Sequence, residues 1–406
     1  MRYFMVFIFI VTSVLVINPS AETRAQRPDA PSYAQRGPFV VGTQDFVIDG
    51  DGERPLEASV WYPALNPDGV DEVATYRFSL LERQGQALRD AEPDIEGGPY
   101  PLIVFSHGLG GMRIQSLFYT EHLASYGFVV IAVDHPGSTF LDMATAADAE
   151  SLIESFALRP NEVIREIEFV EALTAEGEIF EGVVDMERLA VTGHSFGGYT
   201  TAALGGARLN TTALRLICEE EGSLDGEVED NQDTLCSLGD LAALAATKRG
   251  LDEVPEGMWE ATTDSRIRAI VALAPWVSPI FDDEGLATIT MPTMIMIGSM
   301  DQSTVPEPNA YRMYEDIESE TKSLVTFENA DHFIFADTCV DLFIQLDLFS
   351  LCSDPVWDME RAHDLTNHFA TAFFRAILYE DVEAQAILDG AEVDFAGIGY
   401  AFDSAD

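Results

Sequence analysis

Basic residues are scarce in this chain. Among its 406 residues, 22 are Lys or Arg and 70 are Asp or Glu, so the formal net charge is −48, and the only lysines are Lys248 and Lys322. Affinity for nucleic acid rests on basic side chains that neutralise phosphates, so the composition argues against a nucleic-acid partner. An anionic membrane surface would also repel this protein. We interpret the acidic excess as a feature of solubility, which a salty environment screens and tolerates.

Cysteine is rare as well, and its spacing excludes the common metal sites. None of the four cysteines forms a C-x-x-C or Cys/His pattern. The acidic cluster at 225–233 does not match the ligand pattern of an EF-hand, so no metal is predicted. Pairing Cys218 with Cys236 and Cys339 with Cys352 would close two short loops, each worth about 3 kcal/mol in the chain-entropy model. The two other ways of pairing four cysteines stay open.

The beginning of the chain is expected to lie outside the folded domain. Arg2 precedes the apolar run Tyr3–Ile17, and small residues including Thr23 and Ala25 follow. This order is typical of a secretory signal peptide, here residues 1–25, and predicts a secreted or periplasmic protein. The alternative is a retained membrane anchor, although about 15 apolar residues are marginal for spanning a bilayer. Once the signal is cleaved, no stable membrane insertion is expected.

Length and hydrophobic content predict one large domain. With 47% hydrophobic residues, a chain of this length buries a sizeable core. We therefore expect one catalytic domain with insertions rather than several domains. A polar, proline-bearing linker is predicted at 26–36 and the catalytic domain at 37–380. Within that domain, the acidic and irregular stretch 207–264 is interpreted as an inserted lid, and 381–406 is expected to form an acidic tail.

The pattern of apolar runs predicts an α/β fold. Phe39–Ile48 and Leu56–Tyr62 are expected to pair as an antiparallel hairpin, and 63–98 to form a loop holding at most one helix. Beyond residue 100, short apolar runs alternate with helical patterns, which is typical of strands buried on both faces of a mostly parallel sheet. We predict about eight strands with helices on both faces, and an active site at the carboxyl ends of the strands.

The most informative segment is Leu189–Gly198, an apolar run that ends in G-H-S-F-G and continues into small residues. A strand that turns sharply into a helix at such a sequence is a nucleophile elbow, which lifts one serine hydroxyl above the sheet. Gly193 and Gly197 lack a Cβ atom, so the chain can fold back tightly on both sides of Ser195. Ser195 is therefore the candidate nucleophile.

A serine hydroxyl needs a base, and the histidines that follow Ser195 are the candidates. His363 and His368 lie within a predicted helix, whereas His332 follows a predicted strand, where a loop can carry its ring over the serine. Because α/β-hydrolases keep the chain order serine, acid, histidine, the acid should end an earlier strand. Asp301 meets this condition, 31 residues before His332. We predict a triad of Ser195, Asp301 and His332 in which the aspartate orients the imidazole.

Two backbone N–H groups are expected to bind the oxyanion of the tetrahedral intermediate. One belongs to Phe196, directly after the nucleophile. The other is predicted at Leu109, within the glycine-rich turn Ser106–Gly111 that follows a strand. An apolar pocket is expected from Phe196, Trp276 and the lid. The side chains assigned to the substrate pocket are His107, His194 and Trp276.

At these residues the chain resembles a known family. The motif F-S-H-G-L-G-G at 105–111, together with G-H-S-F-G-G at 193–198, is similar to motifs of the secreted platelet-activating-factor acetylhydrolases and the bacterial dienelactone hydrolase-like proteins. The resemblance continues through 264–275 and the segment around His363, and it covers most of 38–380. It implies an α/β-hydrolase fold, hydrolysis of a small-molecule ester by a serine nucleophile, and no cofactor.

The chain departs from these relatives at two positions. Animal acetylhydrolases carry their acid after the strand that corresponds to Val271–Leu273, where this chain has Ala274, so the role passes to Asp301. Dienelactone hydrolases use a cysteine nucleophile, whereas the elbow here holds Ser195, so dienelactone is not the expected substrate. The sequence therefore predicts a secreted serine esterase.

Alternatives to an esterase of small molecules stay open. A polyester depolymerase, or a phospholipid or aryl esterase, would use the same triad, and so would an amidase or peptidase. A catalytically silent hydrolase fold that binds a ligand or partner through the lid belongs to a different class of function.

Overall fold

The computed structural model describes residues 30–145, 149–217, 240–389 and 393–404. The predicted signal peptide, the Cys218 and Cys236 pair and the acidic cluster at 225–233 lie outside these residues. Within the described ranges, no helix is long and apolar enough to span a membrane. The same ranges contain no group of three His, Cys, Asp or Glu side chains placed to hold a metal ion.

A ten-stranded sheet forms the centre of the described fold, and a two-stranded sheet lies beside it. In chain order the strands are β1 (Val40–Ile48), β2 (Leu56–Ala64), β3 (Ala74–Phe78), β4 (Leu81–Gly85), β5 (Leu88–Arg89), β6 (Tyr100–Ser106), β7 (Val129–Val133), β8 (Val184–His194), β9 (Ile267–Leu273), β10 (Thr293–Gly298), β11 (Lys322–Phe327) and β12 (Ile398–Asp403). The large sheet has the order β12-β11-β10-β9-β8-β6-β7-β2-β1-β5. Each neighbouring pair from β11 to β7 is parallel, which confirms the predicted mostly parallel α/β fold.

Helices cover this sheet in two layers. Their bounds are α1 (Leu117–Ser125), α2 (Phe140–Thr145), α3 (Ala149–Leu173), α4 (Phe196–Leu204), α5 (Thr211–Leu216), α6 (Leu241–Lys248), α7 (Asp283–Leu286), α8 (Arg312–Asp316), α9 (Asp341–Gln345), α10 (Met359–Leu378) and α11 (Val382–Leu388). α1 and α10 contact each other and the sheet, and so do α3 and α4. In α10 the buried residues Leu365, Phe369 and Phe373 recur every four positions, which gives the helix an apolar stripe for this packing.

Two regions differ from the sequence-based expectation, and the first is 63–98. In place of a loop with at most one helix, the structure has the hairpin β3–β4, and Ala74, Tyr76 and Phe78 are buried while the residues between them are exposed. That alternation is the period of a strand with one buried face. The indole N–H of Trp61 donates to the hydroxyl of Tyr76 at 2.9 Å, so the hairpin is fastened to the main sheet.

The second region is the expected acidic tail, 381–406. After α11, β12 pairs antiparallel with β11 over its full length and forms one edge of the large sheet. Tyr400 of β12 stacks on Phe369 of α10, with ring centroids 5.6 Å apart. Strand pairing and the stacking of Tyr400 on Phe369 therefore hold this acidic segment against the fold. The sheet has more strands than predicted because β5 and β12 extend its two edges.

Candidate active site

β8 turns into α4 at Ser195, where the elbow sequence places the turn. Ser195 has φ 59° and ψ −117°, a strained conformation for a residue with a Cβ atom and one that functional sites retain. Its N–H donates to the carbonyl oxygen of Leu273 at 2.9 Å, which ties the turn to β9. A Cβ on Gly193 would overlap the carbonyl group of Gly197, and a Cβ on Gly197 would overlap that of Ser106. Both positions therefore require glycine.

We expect Gly197→Ala to lower the free energy of unfolding by about 3 kcal/mol, because the backbone must shift to admit the methyl group. Urea unfolding followed by circular dichroism measures this loss. Gly50→Ala is the matched control, since a Cβ there meets only Val47 Cγ1, at 3.6 Å, and its effect should stay within about 0.5 kcal/mol. Equal unfolding midpoints for the two variants would contradict the close approach of the elbow and β6.

Asp301 and His332 meet at the carboxyl ends of β10 and β11, which are neighbours in the sheet. His332 Nδ1 lies 2.7 Å from Asp301 Oδ2, and both side chains are buried. Oδ1 of the aspartate accepts the backbone N–H groups of Ser303 at 2.9 Å and Thr304 at 2.7 Å. The Thr304 hydroxyl donates to Oδ2 at 2.9 Å. These donors hold the carboxylate in one orientation, with Oδ2 towards the imidazole.

Asp331, the residue before His332, has a different role. Its Oδ1 accepts the backbone N–H of His332 at 2.8 Å and that of Gln302 at 3.2 Å. It thereby caps the short 3-10 turn His332–Phe335. Its carboxylate binds backbone rather than the imidazole ring, so the structure pairs the ring with Asp301.

Ser195 and His332 line one cavity of about 400 Å³, a size typical of small-molecule sites. Its walls are mostly apolar. The side chains that make them so are Met112, Phe140, Met143, Phe333, Phe343 and Leu351. Phe140 lies on α2 and Phe343 on α9, and their ring centroids are 5.5 Å apart. Two short helices from distant parts of the chain thus close one side of the cavity.

The three side chains assigned to the substrate pocket have different positions. His194 lines the cavity. Trp276 is not part of the cavity lining; its ring packs instead against Phe196, with ring centroids 5.3 Å apart. His107 is also outside the lining; it is fully buried, and its Nε2 accepts the backbone N–H of His135 at 3.0 Å. The assignment of His107 and Trp276 to the pocket is thus corrected, since both side chains point into the packed interior.

The described parts of the predicted lid, 207–217 and 240–264, do not line the cavity either. α6 of this insertion packs against α3, and Asn210 forms an isolated β-bridge with Met258. These described parts of the insertion therefore pack on each other and on α3. α2 and residues 336–351 supply the walls that the lid was expected to supply.

A chain of hydrogen bonds links the glycine-rich turn to His332. The Gly108 N–H donates to Gln115 Oε1 at 3.1 Å, and Gln115 Nε2 lies 2.9 Å from His194 Nδ1. His194 Nε2 lies 3.1 Å from the carbonyl oxygen of His332. Burial lowers the pKa of His194 well below its usual value, and the nearby His332 lowers it further. A neutral His194 can therefore accept from Gln115 and donate to His332.

Gln115 and Thr304 are site residues that the sequence reasoning missed. Gln115 lies two residues before α1, and no motif in the sequence distinguishes it from a surface residue. Thr304 follows Asp301 by three residues, the spacing at which a threonine hydroxyl can reach back to a preceding side chain. That short spacing is the one signal in the sequence that could have identified it.

The two predicted oxyanion donors flank the nucleophile. Leu109 lines the cavity, and a Cβ on the adjacent Gly108 would lie 3.3 Å from that of Ser195. Phe196 is the first residue of α4, where helix N–H groups lack an intrahelical acceptor. Among the hydrogen bonds of the described residues, none uses the N–H of Leu109 or of Phe196. Both groups are therefore available to a ligand oxygen.

Comparison with known proteins identifies the family to which this fold is similar. A model of the alpha/beta hydrolase family matches residues 103–346. The platelet-activating factor acetylhydrolase of Cavia porcellus is 31% identical over 219 residues, covering 40% of this chain and 50% of the relative. The acetylhydrolase of Canis lupus familiaris is 32% identical over 220 residues, covering 40% of this chain and 49% of the relative. The acetylhydrolase of Gallus gallus is 23% identical over 323 residues, covering 69% of this chain and 62% of the relative.

This chain spans about half the length of the two mammalian relatives. The family match, by contrast, extends over more than half of the chain and includes the glycine-rich turn, the elbow, Asp301 and His332. The parallel sheet and the turn at Ser195 agree with it. The chain belongs to the alpha/beta hydrolase family.

Proposed function

We propose that this protein is a serine esterase that hydrolyses carboxylic esters through an acyl-enzyme on Ser195. One observation carries the proposal: an elbow serine and a histidine bonded to a buried aspartate line the same apolar cavity. A hydroxyl, a base and an orienting acid are the parts that nucleophilic acyl transfer needs.

In the proposed reaction, Ser195 Oγ attacks the ester carbonyl carbon and His332 Nε2 takes the hydroxyl proton. Asp301 holds the ring with Nδ1 protonated and stabilises the imidazolium. The N–H groups of Leu109 and Phe196 bind the oxyanion. The tetrahedral intermediate collapses, and the alcohol leaves with the proton from His332. Water then attacks the acyl-enzyme with His332 as base, which releases the acid and restores Ser195.

The proposed substrate is a small, uncharged ester. The cavity walls favour an apolar acyl or alcohol group, and a net charge of −48 disfavours strongly anionic substrates through its field. The relatives are named for acetyl hydrolysis, so short acyl chains are the first to test. A polyester depolymerase would be expected to have a larger open groove, and a cavity of about 400 Å³ favours a small molecule instead.

The proposed location is secreted or periplasmic. The disulfide between Cys339 and Cys352 supports this, because such bonds persist in oxidising compartments. The bond joins the two ends of the segment that carries Phe343 and Leu351, so it also braces one wall of the cavity.

The proposal is tested with p-nitrophenyl esters from acetate to palmitate, at low and high salt, and with a fluorophosphonate probe. We expect turnover of short esters and stoichiometric labelling of Ser195, located by mass spectrometry. Folded protein that neither turns over any ester nor reacts with the probe would instead support a silent, ligand-binding hydrolase fold.

Phe343→Ala should shift the acyl preference towards longer chains. The ring is buried in the cavity wall against Phe140, and its removal opens space for additional methylenes. We expect the ratio of kcat/KM for octanoate over acetate to rise about tenfold. Phe349→Ala is the control, because that ring is 46% exposed and lies outside the lining. An equal ratio in both variants would mean that the acyl chain binds elsewhere.

A further inference from the structure

Arg159 is a buried cation beneath the glycine-rich turn. It lies on α3, and its exposure is 0%. Its hydrogen-bond partners among the described residues are neutral oxygens, two from backbone carbonyls and one from a hydroxyl. A carboxylate in contact would cancel most of the field of the guanidinium, whereas neutral oxygens leave that field able to act on nearby groups.

The first contact is with the turn that carries the proposed oxyanion donor. Arg159 Nη1 donates to the carbonyl oxygen of His107 at 2.5 Å, and Nη2 to that of Gly108 at 3.3 Å. The Gly108 carbonyl belongs to the same peptide group as the Leu109 N–H. In a trans peptide the C=O and N–H point in opposite directions. A cation bound to this carbonyl therefore polarises the peptide and makes the N–H on its far side a stronger donor.

The second contact is with the residue of the other donor. The guanidinium carbon lies 4.6 Å from the ring centroid of Phe196. Nη2 also donates to Ser138 Oγ at 2.7 Å, and the carbonyl oxygen of Ser138 accepts the N–H of Gly110 at 2.9 Å. One buried side chain thus supports the glycine-rich turn from two sides and packs on the residue that follows the nucleophile.

Glu162, one turn further along α3, supports the beginning of the same turn. Its Oε2 lies 2.7 Å from His135 Nδ1, and His135 Nε2 lies 2.8 Å from Ser106 Oγ. Burial lowers the pKa of His135 to about 4. Burial by itself raises the pKa of Glu162. The hydrogen bond from His135, the charge of His135 and the charge of Arg54 lower it by more, so the pKa of Glu162 is about 2. Glu162 is therefore an anion at neutral pH. Burial lowers the pKa of Arg159 to about 9, and the charge of Glu162 offsets part of that effect, so the guanidinium is still a cation at neutral pH.

This Ser106, His135 and Glu162 arrangement resembles a triad but lies apart from the reaction. All three side chains are buried, and none lines the cavity. Ser106 ends β6 directly before the glycine-rich turn. The arrangement therefore supports the turn and does not form a second active site.

We infer that Arg159 is a positioning residue of the esterase: it holds the His107 and Gly108 carbonyls so that the Leu109 N–H faces the oxyanion, and it strengthens that donor. The inference rests on the proposed function. Because the oxyanion exists only in the transition state and the intermediates, loss of Arg159 should lower kcat and leave KM nearly unchanged.

The test compares Arg159→Met and Arg159→Lys with wild type on p-nitrophenyl butyrate. Methionine keeps most of the buried volume without the charge, and we expect kcat to fall about 10²- to 10³-fold. The inhibition constant of an alkyl trifluoromethyl ketone, whose serine adduct places an oxyanion between the two donors, should rise by a similar factor. Lysine restores the charge without the two-armed geometry, so Arg159→Lys should recover part of the loss.

Arg165→Met is the matched control. Arg165 lies on the same helix but faces Asp49 at 3.0 Å, so kcat and the inhibition constant should match wild type. If Arg159→Met does not fold, Ser138→Ala removes one partner of the guanidinium and should lower kcat about tenfold. An unchanged kcat and inhibitor affinity, or a change confined to KM, in the folded variant overturns the inference. Failure of the esterase proposal itself is separate: wild type would then show no Ser195-dependent turnover.

Discussion

Ser195→Ala is expected to lower kcat for p-nitrophenyl butyrate by about 10⁴- to 10⁶-fold, because no acyl-enzyme can form without the hydroxyl. Steady-state kinetics measures the loss, and intact-mass analysis with the fluorophosphonate probe should show no adduct. Ser404→Ala is the control, since Ser404 is exposed near the end of β12 and should keep full activity and labelling.

The same experiment tests whether the serine and the histidine act as one unit. His332→Ala should cost about as much as Ser195→Ala, and the double variant little more than either, since each removes the same nucleophilic pathway. If the losses multiplied instead, the two residues would be acting independently. Turnover that persisted at the wild-type rate in Ser195→Ala would overturn the acyl-enzyme mechanism.

Asp301→Asn is expected to lower kcat about 10⁴-fold with little effect on stability. Asparagine can keep a carbonyl oxygen for the N–H groups of Ser303 and Thr304, and its amide then faces His332 Nδ1 as a donor. The ring must respond by carrying its proton on Nε2, where it cannot accept the proton of Ser195. The dependence of kcat on pH measures the change, since activity should stay low across the range in which wild type is active.

Asp331→Asn provides the matched comparison. Asp331 is adjacent to the histidine, and among the described residues its side chain accepts the backbone N–H groups of His332 and Gln302. An asparagine oxygen can accept both, so kcat should remain close to wild type. A larger loss in Asp331→Asn than in Asp301→Asn would transfer the orienting role to Asp331.

The ends of β9 and β10 lie side by side near the proposed acid, Asp301. β9 and β10 are parallel neighbours, so both end at the same edge of the sheet. The Thr304 hydroxyl lies 3.1 Å from the carbonyl oxygen of Ala274 and 2.9 Å from Asp301 Oδ2. The end of β9 and the carboxylate of Asp301 therefore adjoin the same threonine, and an acid from either strand end could approach one histidine.

Local motifs and periodic patterns in the sequence determined the fold class, the elbow and the triad candidates. Apolar runs that alternate with helical patterns specify a parallel sheet because both faces of each strand must be buried. The glycines around Ser195 specify the elbow because no other residue fits the close approach to β6. The triad candidates followed from chain order, since Asp301 and His332 each come directly after a strand. These inferences depend on residues close together in sequence.

Only the tertiary structure decided which side chains surround the cavity. Phe140 and Phe343 are about 200 residues apart in sequence, yet their rings are in contact. Gln115 reaches His194 from the turn that precedes α1. Arg159 carries no motif, and its meaning comes from the carbonyl groups it binds. Whether a residue faces the cavity or the core depends on how distant segments pack, as the burial of Trp276 and His107 shows. One sequence contains little trace of such long-range contacts, because they depend on shape and register rather than on local propensity.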